Sequence, residues 1–112
     1  MAVEIMIMSG VDDGLVLRLD DKDGQLVGDD WALTIGRRED NDICLRNDTF
    51  ISRDHAILRK QGDQWFLEDC GSKNGTYIET PDADARVTTP VPIAPGQLFR
   101  IGRTWLRLQN TE

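Results

Sequence analysis

Apolar residues recur at every second position through much of this chain: Val3, Ile5 and Ile7, then Leu15, Leu17 and Leu19, then Trp31, Leu33 and Ile35. A β-strand sends successive side chains to opposite faces, so this period marks strands with one buried face. Shorter segments continue it at Ile43 and Leu45, 56–59, 65–68, Tyr77 and Ile78, Val91 and Ile93, 98–101 and 105–108. Turn-forming residues separate them, at Ser9-Gly10, Asp12-Asp13-Gly14, 20–24, Gln61-Gly62-Asp63, Asn74-Gly75 and Pro95-Gly96. One stretch, 52–60, offers Ser52 as a helix cap, but its strong apolar residues Ile57 and Leu58 are adjacent, so a turn followed by a strand is predicted. No segment holds helical spacing over three turns. Many short strands imply an all-β sandwich or barrel.

Two features qualify that picture. The stretch 80–92 is rich in Pro, Asp, Ala and Thr and has little to bury, which predicts an extended surface loop. Its prolines cannot donate to a ladder, so any pairing there belongs at a sheet edge. Trp31, Trp65 and Trp105 lie within the alternating segments and are expected in the core, because aromatic side chains bring large buried area.

Composition narrows the class. With 112 residues, 39% apolar and 29% charged, the chain is expected to form one soluble globular domain over 1–112. A net charge of −7 argues against nucleic acid, which needs a basic face to displace counterions, and against an anionic bilayer. The apolar opening 2–8 lacks a basic leader and is too short for a signal peptide or membrane span, so a cytoplasmic location is expected. Cys44 and Cys70 form no CxxC pair and stand with a single histidine, so no metal, no cofactor and no disulfide framework is expected. Free thiols suit a reducing cytosol.

Candidate chemistry gathers in three polar clusters that fall in predicted loops: Gly36-Arg37-Arg38, then Ser52-Arg53-Asp54-His55, then 71–76, Gly-Ser-Lys-Asn-Gly-Thr. A sandwich collects its loops at two ends, so clusters distant in sequence can meet. Arginine presents a planar fork of donors matched to phosphate oxygens, a hydroxyl adds a neutral bond, and an asparagine amide both donates to and accepts from an extended backbone. Those residue types suit a phosphorylated peptide segment. Acidic residues Glu39, Asp40, Asp48, Asp54, Glu68 and Asp69 flank the donors, so a mixed field is expected around them.

The order GRxxxNDICL, SRDHA, WFLEDCGSKNGT and PVPIAPGQLFRIG resembles the forkhead-associated (FHA) domain family across nearly the whole chain. The resemblance implies an eleven-stranded sandwich of two mainly antiparallel sheets that binds phosphothreonine peptides at one end and catalyses nothing. It implies phosphate contacts from Arg37 and Ser52, a further polar contact from Arg53, a ligand-backbone contact from Asn74, and Lys73 lining the site. Gly36, His55, Gly75 and Thr76 are expected to be architectural. Partners would be phosphothreonine-containing proteins, substrates of serine/threonine kinases.

Other readings of the same residues are open to test. An FHA-like module can serve assembly, for example in a secretion apparatus, without phosphate. Ser52 and His55 with Asp54 or Asp69 suggest a nucleophilic triad, but a Ser-x-x-His turn offers no evident oxyanion hole. Asp40-Asn41-Asp42 lacks the remaining ligands of a calcium loop and reads as a turn.

Overall fold

The computed structural model describes residues 2–111. Twelve strands run in order: β1 Ala2–Ile7, β2 Val16–Asp20, β3 Gln25–Val27, β4 Asp30–Gly36, β5 Ile43–Cys44, β6 Ala56–Gln61, β7 Gln64–Asp69, β8 Thr76–Glu79, β9 Asp84–Arg86, β10 Val91–Ile93, β11 Leu98–Ile101 and β12 Thr104–Thr111. They form two sheets, one ordered β2-β1-β12-β11-β8-β9, the other β10-β7-β6-β4-β3 with β5 added beside β4. Pairing is antiparallel throughout except the short β4–β5 ladder, where Ile35 aligns with Ile43.

The alternation fills the space between the sheets. Val3, Ile5, Ile7, Phe99, Ile101, Leu106 and Leu108 point inward from the first sheet and meet Trp31, Leu33, Ile35, Leu58, Trp65, Leu67 and Ile93 from the second. Trp31 and Trp65 pack with ring centroids 5.7 Å apart, and the Trp31 indole N–H donates to the Asp23 carbonyl. The stretch 52–60 is a turn leading into β6, as expected.

Four expectations need correction. Trp105 is only half-buried, on the outer face of β12, because its strand neighbours Leu106 and Leu108 take the inward positions. Leu15 precedes β2 and is 48% exposed; burial fades from Leu19 through Leu17 to Leu15 along an edge strand covered at one end. The stretch 80–92 is more structured than a loop: β9 and β10 lie within or at its end, and Val87 is buried. Both strands occupy sheet edges, where Pro92 does no harm to a central ladder. Finally, the chain folds twelve strands where eleven were expected. Strand β3, outside the segments expected as strands, pairs Gln25–Val27 with 30–32 as a hairpin.

Strand directions bring one set of loops to a common end. The exit of β4 at Gly36, the entry to β6 at Ala56, the exit of β7 at Asp69 and the entry to β8 at Thr76 all lie there: Ala56 pairs with both Ile35 and Asp69.

Candidate functional site

The segment 50–53 is the hub of that end. The Arg37 amide donates to the Ser52 carbonyl at 3.1 Å, and Arg37 Nε donates to the Ile51 carbonyl at 3.1 Å. Asn74 Nδ2 donates to the Phe50 carbonyl at 2.8 Å, and the Lys73 amide donates to Ser52 Oγ at 3.1 Å. Residues from two loops therefore grip three consecutive positions of a third, Phe50, Ile51 and Ser52. Arg37, Arg53, Lys73 and Asn74 are exposed and Ser52 is half-buried, so their functional groups face solvent.

What remains free on each group sets the chemistry. Arg37 has its Nε committed, which fixes the plane of the guanidinium and leaves the terminal nitrogens to donate outward. Ser52 Oγ accepts from Lys73, so its own hydroxyl proton is available to a ligand. Asn74 retains its Oδ1 and a second N–H. Three cations and a hydroxyl donor beside an amide form a donor set suited to a phosphate on an extended chain.

Beneath these groups sit the four residues expected to be architectural, all buried. His55 is fully enclosed; its Nδ1 accepts from the Ser52 amide at 3.0 Å and its Nε2 donates to the Gly75 carbonyl at 2.9 Å. Burial pushes the imidazole below its ordinary pKa of 6.5, against the opposing pull of the Gly75 carbonyl, Asp69 and Asp48, so the ring is neutral. One imidazole thus links the serine loop to the asparagine loop. Gly36 is required by proximity: a Cβ there would lie 2.0 Å from the Arg53 carbonyl oxygen and 2.6 Å from Asn41 Nδ2. Gly75 sits at φ +87°, a left-handed conformation that only glycine adopts without strain. Thr76 Oγ1 donates to Asp69 Oδ1 at 2.7 Å.

These contacts dispose of the triad. Both ring nitrogens of His55 are spent on backbone groups, Asp54 pairs with Arg38, and Asp69 serves Ser72 and Thr76.

Most of the flanking acids are tied to arginines outside the donor set. Asp54 and Asp40 pair with Arg38, Glu39 with Arg46, and Glu68 with Arg59. Asp48 accepts from the amides of Phe50 and Arg103 and from the Thr104 hydroxyl. Asp69 accepts from the Ser72 hydroxyl and from the amides of Gly71 and Ser72 as well as from Thr76. Burial alone would raise its pKa, but those four bonds outweigh burial and hold it below the ordinary carboxylate value of 3.8. Among the described residues, Arg37, Arg53 and Lys73 belong to no ion pair. The field is mixed, as expected from the sequence: Asp54, Asp40, Glu39 and Glu68 pair with arginines, Asp48 and Asp69 keep their charge on neutral donors, and Arg37, Arg53 and Lys73 stand outside any ion pair.

Sequence reasoning missed several residues that build this end. Asn41 is buried, and its Nδ2 donates to the carbonyls of Arg38 at 3.0 Å and Arg53 at 2.7 Å, tying the arginine loop to the serine loop. Asp69 and Ser72, three apart, form a side-chain turn that shapes the asparagine loop; the run Asp-Cys-Gly-Ser was the available signal. The Phe50 ring carries the Arg103 guanidinium at 3.7 Å, beside a cleft of about 230 Å³ floored by Ile7 and Leu45.

The FHA domain family matches residues 33–102. The chain belongs to that family. It is 41% identical over 75 residues to an FHA domain-containing protein, FhaB, of Mycolicibacterium smegmatis, an alignment covering 67% of this chain and 45% of that protein. The chain thus spans about half the length of the curated relatives it matches. An FHA domain from a structural and functional study of phosphothreonine-dependent FHA interactions superposes with a TM-score of 0.72 at 25% identity, covering 100% of this chain and 99% of its own. The FhaA FHA domain, solved in complex with the intracellular domain of Rv3910, gives 0.69 at 26% identity, covering 96% and 99%. As an FHA domain, the chain shares the sandwich of these neighbours, and its matched segment contains all three polar clusters. No helix among the described residues is long and apolar enough to cross a membrane.

Proposed function

We propose that this domain is a phosphothreonine-reading adaptor that binds and does not catalyse. The observation that carries the reading is the convergence on 50–53 of Arg37, Ser52 and Asn74, with Arg37, Arg53 and Lys73 left without carboxylate partners. In this reading Arg37 and Ser52 hold the phosphate, Arg53 and Lys73 add charge, and Asn74 holds the peptide backbone beside it. Gly36, His55, Gly75 and Thr76 hold the loops in place. Phosphorylation supplies about −1.5 to −2 charges and three acceptor oxygens for those donors. Charge-assisted hydrogen bonds contribute about 1.5 to 3 kcal/mol each, so three supply most of the roughly 8 kcal/mol of a micromolar complex.

The partners in this reading are phosphothreonine-bearing substrates of serine/threonine kinases, met in the cytoplasm. Phosphothreonine-dependent interaction of one structural neighbour and the complex of another with an intracellular domain support it. Calorimetry with matched peptides bearing phosphothreonine, phosphoserine or plain threonine tests the proposal. The expected order is phosphothreonine well above phosphoserine, no binding of the plain peptide, and loss of most binding in Arg37→Ala. Equal affinity of wild type and Arg37→Ala defeats it.

A further inference from the structure

A row of guanidinium and aromatic groups crosses the outer face of the first sheet next to the loop tip. The ladders align Trp105 with Arg100, Arg100 with Tyr77, and Tyr77 with Arg86, placing the four in one line across β12, β11, β8 and β9. Their strand neighbours Leu106, Phe99, Ile101, Thr76 and Ile78 are buried, so the row faces outward. The Arg100 guanidinium lies 4.2 Å from the Tyr77 ring centre and 5.8 Å from that of Trp105, and Arg86 lies 6.0 Å from Tyr77. The row begins at the site itself: the Cβ position of Gly75, beside Asn74, is 3.0 Å from the Tyr77 ring and 3.3 Å from the Arg86 guanidinium.

Charge on this face is uncompensated. Among the described residues Arg18, Arg38, Arg46 and Arg59 each join a carboxylate, while Arg86, Arg100 and neighbouring Arg107 join none. Carboxylates are not scarce, with 20 acidic residues against 13 basic. The hydrogen bonds that Arg100 and Arg107 make go to neutral acceptors, the Gly102 carbonyl at 2.6 Å for Arg100, and Gln109 Oε1 at 3.0 Å and Met6 Sδ at 3.9 Å for Arg107, which leave the full charge in place. The acids of β8 and β9, Glu79 and Asp84, pair one row farther from the tip. The ring contacts hold the guanidinium groups beside the aromatic rings without neutralising them.

We propose that this row is a second docking surface for an acidic segment of the same polypeptide that carries the phosphothreonine, an inference that rests on the function proposed above. Strands lie about 4.8 Å apart, so the row spans roughly 15 Å, about four or five extended residues. Aspartate and glutamate match the arginine fork, which takes two carboxylate oxygens at once. Nucleic acid fits less well: the Arg100 guanidinium competes with a base for the Tyr77 ring, and the net charge is −7.

The test uses a phosphothreonine peptide carrying a run of glutamates or of alanines at one end or the other, measured by calorimetry at low and at high salt. At low salt a glutamate run at one end raises affinity about tenfold over alanine, and high salt reduces the gain. The gain disappears in Arg86→Gln/Arg100→Gln and is reduced but not lost in Arg86→Lys/Arg100→Lys, which keeps the charge without the fork. No gain at either end, or a gain that survives the glutamine variant, overturns the inference. Should the double variant melt early, Arg86→Glu on the exposed edge strand takes its place and must abolish the gain. If phosphopeptide binding is indifferent to Arg37→Ala, the adaptor reading has failed, and an unphosphorylated glutamate peptide decides the row alone. Weak binding lost in the glutamine variant supports it, whereas no binding, or tighter binding of single-stranded DNA, overturns it.

Discussion

Replacing Gly36 by alanine tests whether close approach of two loops builds the site. Gly36 is buried and is not in the left-handed region, so backbone freedom does not explain it. The added methyl would meet the Arg53 carbonyl oxygen at 2.0 Å, a backbone atom that can retreat only by moving the serine loop. Overpacking of this kind costs about 3 kcal/mol at the upper end of its usual range. Separation of the loops also breaks the 2.7 Å bond from Asn41 to the Arg53 carbonyl, worth about 1 kcal/mol. The expected loss is about 4 kcal/mol, which lowers the melting temperature by roughly 15 to 30 °C in a domain near 100 residues. Gly62→Ala is the control, because Gly62 has φ +60° with nothing near its Cβ position. Its strain alone costs about 1 to 2 kcal/mol. Urea unfolding with a constant m-value measures both. A Gly36→Ala loss no larger than that of Gly62→Ala refutes the reasoning.

Three further outcomes follow from the same contacts. Stability should fall with acidity below pH 6.5, the ordinary histidine value, because buried His55 has a depressed pKa and the unfolded chain binds a proton that the folded chain refuses. Its contribution is complete above that pH and is lost as pH drops toward the folded value; urea midpoints that stay level from pH 7 to 5 contradict the neutral, enclosed imidazole. Trp65 buries an indole N–H without a partner, whereas that of Trp31 donates to Asp23 at 2.8 Å. Trp31→Phe should therefore destabilise by about 1 kcal/mol more than Trp65→Phe, and equal losses by urea unfolding contradict the assignment. Affinity for a phosphothreonine peptide should fall between pH 7 and 5, since the second phosphate ionisation lies near pH 6; a calorimetric profile that stays flat means the dianion is not what binds.

The fold was legible where burial imposes alternation. Ile5 and Ile7 in β1, or Trp31, Leu33 and Ile35 in β4, announce a strand because one face is sealed. Strands β3 and β9 were invisible for the opposite reason: every residue in both is exposed, so backbone pairing forms them without alternation, Leu26 and Val27 of β3 being adjacent. Trp105 misled because a large aromatic ring on an outer sheet face reads like one in a core. At the site, the exposed donors Arg37, Ser52 and Asn74 stood out as polar residues in loops, and the match to the family ordered them. The wiring beneath did not stand out. Asn41 and Asp48 look like ordinary turn residues, and only the folded chain shows that their side chains satisfy backbone groups of other loops, while Asp69 gathers the amides and hydroxyls of its own. Likewise, sequence alone could not say that Arg38 is tied to Asp54 while adjacent Arg37 faces solvent without one.

The most direct measurement is an amide-resolved NMR titration of the labelled domain with a phosphothreonine peptide and with its unphosphorylated twin. The account predicts that the phosphorylated peptide moves the amides of 36–38, 50–53 and 72–75 together along one saturation curve, while the twin moves none of them. Shifts centred elsewhere, or equal responses to both peptides, would contradict it.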